Sequence, residues 1–202
     1  MVCRISPLFF FGTFLSLQGL WGVPYLMQVY EFSKIDASIV IMIMAIGFSL
    51  GATFWGLVSD RLVVSRKRVF LIGLVLYNLA WFLFTSVTTE TMRSFLPLLL
   101  LGFFFGVMPI SIVMVKELFP KRMMGAVTGS ANAYPFVGAA FYQILIGYFL
   151  DTHGLVNIVE GVRVFSKASY RLSFTVCLAT LIAATAMAFL IREHLESREE
   201  RH

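Results

Sequence analysis

The chain is divided into blocks of about twenty apolar residues parted by short charged stretches, and no other property limits its fold as strongly. Wound as an α-helix, a block of that length crosses the ~30 Å hydrocarbon core of a bilayer. Six such blocks fall at 7–30, 39–59, 69–88, 95–116, 125–150 and 172–191. In lipid the backbone groups of each must be satisfied within the segment, so helices are expected. Composition agrees: 59% of the 202 residues are hydrophobic and 13% charged, against roughly 45–50% and 25% in soluble domains. The sequence predicts an all-α integral membrane protein with the lipid bilayer as its first partner.

The connections EFSKIDAS, DRLVVSRKR, TETMRS and PKRMM are short, and the longest, 151–171, is too short for a further domain. No Pro/Ser-rich linker interrupts the chain, so residues 1–202 read as one domain. Arg4 and the apolar run after it resemble a signal peptide for about ten residues. The run continues through Trp21 to Tyr30 without an Ala-x-Ala-like site, so it is read as a retained span. Cys3 and Cys177 lie too far apart in role for a disulfide or a metal site.

Lys and Arg set the orientation. With the N-terminus inside, the inner segments hold Arg4, Arg61, Arg66, Lys67, Arg68, Lys116, Lys121, Arg122, Arg192, Arg198 and Arg201. The outer ones hold only Lys34, Arg93, Arg163, Lys167 and Arg171. The positive-inside rule therefore places both termini in the cytoplasm. The expected location is the bacterial inner (plasma) membrane, crossed several times.

The densest charge lies between the second and third blocks, in GLVSDRLVVSRKR. This loop resembles the G-x-x-x-D-R-x-G-R/K-R/K loop of the major facilitator superfamily, called motif A. Gly56, Asp60 and Arg61 match in place, whereas Arg66, Lys67 and Arg68 come two residues late and the second Gly is absent. Further on, KELFPKRMMGAVTGSANAYPFVGAAFYQILIGYFLD resembles the join of the tenth and eleventh helices in such transporters, with E-x-x-P-x-x-x-x-G at the turn and G-x-x-x-D at the exit. The resemblance implies half of a major facilitator fold: six helices in a 3+3 inverted repeat, from a twelve-helix transporter with two halves. The degenerate loop, the longer 151–171 connection and the charged tail point to the C-terminal half. The second half would be a missing six-helix partner or another copy of the chain. The family role for Gly56, Asp60, Arg61, Arg66, Lys67 and Arg68 is a cytoplasmic latch, with Asp60 facing the other half. The plainer reading is that the bases only hold the loop inside, and the two are compatible.

The same resemblance makes the first and fourth helices line a solute path. In the first block Gln18, Trp21, Gly22, Tyr25 and Gln28 share a face at helical spacing, and polar groups in mid-bilayer favour the bundle interior. Pro24 predicts a kink there. The fourth block combines Gly102, Gly106 and Pro109 with Phe104, Met108 and Ser111 on one face. For Gln18, Tyr25 and Ser111 the competing reading is hydrogen bonding between helices. Asn132 suits contact with a solute or a bond across helices equally. Gly47 with Gly51, and Gly125, Gly129 and Gly138, read as helix-packing positions, and Asn78 and Gln143 as packing.

No Asp, Glu, Lys, Arg or His stands in the middle of any block. Proton coupling and charged solutes usually require such a group, so both are expected to depend on the other half. The same absence leaves no intramembrane His to activate a Ser, and there is no channel-filter motif, phosphate-binding loop or metal-ligand cluster. No enzyme activity, cofactor, metal or nucleic-acid partner is expected. The reading is transport of a small solute by alternating access. The rival reading is an inactive remnant, or a six-helix protein acting by partner binding.

Overall fold

The computed structural model describes residues 6–61, 65–86, 92, 95–117, 119–159 and 162–190. A first rod runs from Ser6 to Tyr30 as α1 (Ser6–Ser16), a π-helical turn (Leu17–Trp21) and α2 (Gly22–Tyr30). Then come α3 (Lys34–Arg61), α4 (Arg66–Ser86), α5 (Leu96–Phe105), α6 (Met108–Glu117), α7 (Met124–His153) and α8 (Lys167–Leu190). Among the described residues five helices are long and apolar enough to cross a membrane: α3, α4, α5 joined to α6, α7, and α8.

Several helices start before their apolar blocks because local hydrogen bonding, not hydropathy, sets their ends. Ser33 Oγ accepts the Asp36 N–H at 3.1 Å and donates to Asp36 Oδ2 at 2.7 Å, so α3 starts five residues before the apolar block at 39. Ser166 Oγ likewise accepts the Ser169 N–H at 3.2 Å at the start of α8.

Two expectations are corrected. The 151–171 connection is not a bare loop in an all-α chain. It holds an antiparallel hairpin, β1 (Leu155–Val159) with β2 (Val162–Phe165), in register Ile158↔Arg163 and with a bulge between Leu155 and Asn157. Val, Ile and Leu dominate both strands and suit a pleated surface. The irregularity of the first rod is also not centred on Pro24. Pro24 has no N–H for the Leu20 carbonyl, and the chain adapts one turn earlier, where the Gly22 N–H reaches back to Leu17 O.

The rods meet in two parallel pairs. In the first, α3 lies on α5: a Cβ at Gly47 or Gly51 would overlap the backbone of Leu99 or Phe103. One at Gly102 or Gly106 would overlap the backbone of Met44 or of Gly51 and Ala52. Backbones this close gain dispersion contacts that bulky side chains would prevent. The helix stops at Gly106, whose N–H points to Gly102 O and Phe103 O at 3.1 and 3.2 Å. Trp55 Nε1 then donates to Phe103 O at 3.1 Å, covering a carbonyl at the break.

In the second pair α1 lies on α7, where a Cβ at Gly138 would strike Leu8 O and one at Gly12 the Gly138 backbone. Ser16 Oγ donates to Ala139 O and Trp21 Nε1 to Gln143 O, each at 3.1 Å. Between the pairs, Phe14 stacks on Phe105 at 3.9 Å, and Tyr77 adjoins both Phe10 and Phe105. α8 closes the bundle, with Trp81 Nε1 donating to Phe174 O at 3.0 Å. The outer faces are apolar: Ile39, Met42, Ile46, Leu50, Phe54 and Leu57 stand exposed along α3.

Candidate solute path and charged loop

The polar face of the first rod divides among different tasks. Tyr25 is buried, with its hydroxyl 3.1 Å from that of Tyr30 and its ring edge-on to Phe84 and Phe174. Trp21 spends its N–H on Gln143 O. Gln28 uses both ends of its amide: Nε2 donates to Arg163 O at 3.0 Å, and Oε1 accepts from Phe165 N–H at 2.9 Å and Tyr170 O–H at 3.2 Å. Gln18 sits in the π turn, half-buried, and its side chain has no hydrogen-bond partner among the described residues. Of the four, Gln18 is the one whose side chain has no polar partner among the described residues.

On the fourth rod Met108 and Ser111 are buried, and Ser111 Oγ donates to Met108 O at 2.6 Å. Phe104 is half-buried and lies edge-on to Phe103. Asn132 is exposed on α7. These side chains do not form one cluster with Gln18. A shallow groove lies between α1, α6 and α7, lined by Pro7, Phe11, Ser111, Val127, Ser130 and Tyr134. Ser130 returns its hydroxyl to Ala126 O and Val127 O, and Tyr134 stands exposed on the same wall.

Asn78 donates to Thr185 Oγ1 at 2.7 Å and to Leu74 O at 2.8 Å, joining α4 to α8. The glycine stripe of α7 is split. Gly138 is closed against α1, whereas a Cβ at Gly125 or Gly129 would meet open space. Their spacing marks them as packing positions, but no described residue covers them.

At the charged end, Gly56 also faces open space, Asp60 and Arg61 are exposed at the end of α3, and residues 62–64 lie outside the description. Arg66 opens α4 and bridges two helix ends: its guanidinium lies 3.7 Å from Asp60 Oδ1 and pairs with Glu117 at the end of α6. Lys67 is half-buried and Arg68 exposed. Asp60, expected to face a missing half, thus has a near partner within this bundle while staying 71% exposed. Glu117, which heads the E-x-x-P pattern and lies outside the motif A-like loop, joins this cluster through Arg66. All three groups are partly solvated, so each pair is worth at most ~1 kcal/mol and is screened by salt.

A sequence profile described as Major Facilitator Superfamily matches residues 8–202. The benzoate transport protein of Acinetobacter baylyi is 32% identical over 119 residues, covering 56% of this chain and 25% of that protein. The crystal structure of a bacterial homolog to the human lysosomal transporter Spinster, inward-facing and occupied, matches with a TM-score of 0.60 at 15% identity. That match covers 94% of this chain and 48% of the other and is a likeness of fold. The chain thus spans about half the length of that transporter and a quarter of the curated relative. With the profile running over nearly the whole sequence, the apolar helices and their paired packing identify the chain as a member of the Major Facilitator Superfamily of membrane transporters.

Proposed function

We propose that this chain is one six-helix half of a secondary transporter and moves a small solute by alternating access against a second half. The observation that carries the reading is the family match over residues 8–202 on a fold that fills only 48% of a complete transporter. The first rod, from Ser6 to Tyr30, adds a span to the five long apolar helices and makes six. The Lys and Arg distribution supports cytoplasmic termini, with the Asp60–Arg66–Glu117 cluster on the inner side. The second half seats on the open Gly125–Gly129 side of α7 and draws Asp60 into the latch between halves. Gln18 reads the solute through its amide, and Phe104, Ser111 and Asn132 lie along the path from the fourth and fifth spans. The curated relative transports benzoate, so aromatic carboxylates are the first solutes to assay. Their counter-charge comes from the other half.

The test is uptake of labelled benzoate and related acids into proteoliposomes holding this chain alone, or co-expressed with a six-helix N-terminal half of a family member. Uptake only in the second case, reduced at least tenfold by Gln18→Leu, is expected. No uptake in either case across a panel of acids, sugars and cationic drugs would favour the inactive remnant.

A further inference from the structure

Gln28, Asp151 and Phe165 lie far apart in sequence but converge at the end of the molecule opposite the charged loop. There the base of the β1–β2 hairpin is tied to the first rod by both ends of the Gln28 amide. The reversed amide would set Nε2 against the Phe165 N–H, so only one orientation satisfies both strand groups. Asp151, at the end of α7, accepts two hydrogen bonds from Arg163 Nη1, both at 2.7 Å. Phe165 is buried, with Trp21 and Tyr170 ring centroids 6.4 and 6.1 Å away. The Ser166 N–H closes the base on Gly154 O at 2.9 Å. Beyond this base Val156, Ile158 and Val162 are exposed, so the ties concentrate where the hairpin crosses α2.

Below the tied segment lies the irregular joint of the rod. The π turn Leu17–Trp21 contains Gly19, whose Cβ position is open, and exposed Leu20, and it is followed by Pro24. A π turn with a proline one turn on bends more readily than a regular helix. The Tyr25 ring contacts with Phe84, Tyr170 and Phe174 resist separation but tolerate sliding. The directional amide bonds fix register.

We propose that the β1–β2 hairpin is a strap that holds α2 across the π-turn hinge, and that α2 swings only when the Gln28 clamp opens. This requires no particular solute and stands apart from the transport reading. The test uses the full chain in lipid nanodiscs with Cys3→Ser. Spin labels are placed at exposed Met27 and Tyr148 across the strap, and in a second sample at exposed Val113 and Phe136 away from it. Electron-electron distance measurements should give narrow distributions for both pairs. Gln28→Leu should at least double the width for Met27–Tyr148 and leave Val113–Phe136 unchanged. An unchanged Met27–Tyr148 width overturns the strap. If Gln28→Leu broadens both pairs, the decision passes to Asp151→Asn combined with Phe165→Ala, which leaves the first rod's sequence intact. Broadening of Met27–Tyr148 alone then supports the strap, and any other result overturns it.

Discussion

The two helix pairs use the same device to different extents. α3 and α5 are sealed over two turns by four glycines, Gly47, Gly51, Gly102 and Gly106, each pressed on the partner's backbone. α1 and α7 are sealed by Gly12 and Gly138, while the earlier glycines of α7, Gly125 and Gly129, meet nothing. The first pair is complete within this chain. The second is complete at one level and open at another, so one run of small residues serves internal packing and an uncovered surface. Each pair also places an indole N–H on a partner carbonyl, Trp55 on Phe103 and Trp21 on Gln143.

The largest effects should come from filling the sealed contacts. Gly51→Leu or Gly106→Leu forces backbone apart and should cost at least ~3 kcal/mol, the upper range of core overpacking, read as loss of folded monomer in detergent size-exclusion profiles. Gly138→Leu should lower the thermal midpoint nearly as much, because it strikes Leu8 O. Gly129→Leu makes the sharper point: unfolding of the chain alone should change by less than ~0.5 kcal/mol, whereas transport with a second half should fall if that half seats there. A destabilisation equal to that of Gly51→Leu would erase the distinction between the pairs.

Smaller shifts are expected from the indoles. Trp55→Phe and Trp21→Phe should each cost about 1 kcal/mol. Trp55→Phe should have the larger effect, because its acceptor lies at the helix break. Arg66→Gln should be smallest, at most ~1 kcal/mol, and its effect should vanish in high salt; a salt-independent loss would place Arg66 in a drier setting than its 37% exposure implies.

Apolar blocks announce helices because a bilayer leaves the backbone few alternatives, and small residues four apart announce close approach. Gly106 and Pro109 mark the fourth block in the same way, since neither residue continues a helix easily. The sequence does not disclose which helical face is covered: Gly125 and Gly138 look alike until a partner is placed over one of them. Gln28 shows the same limit. An amide on the polar face of a span reads alike whether it meets a solute or a strand, and the strand was itself illegible. Five residues such as LVNIV acquire a structure only by pairing, and their partner VRVF is too short to stand out from a loop.

The lengths of α3 and α7, 28 and 30 residues, carry a further consequence. At 1.5 Å per residue they run about 42 and 45 Å, well beyond the ~30 Å that hydrocarbon covers. Tilt, projecting ends or a locally thickened bilayer must absorb the excess, each at a fraction of a kcal/mol per Å. Part of the excess is the polar ends of α3, Lys34 and Asp36 at one end and Asp60 and Arg61 at the other. Packing on the glycine-sealed partners sets the lean that absorbs the rest, so a thinner bilayer would draw each sealed pair over together.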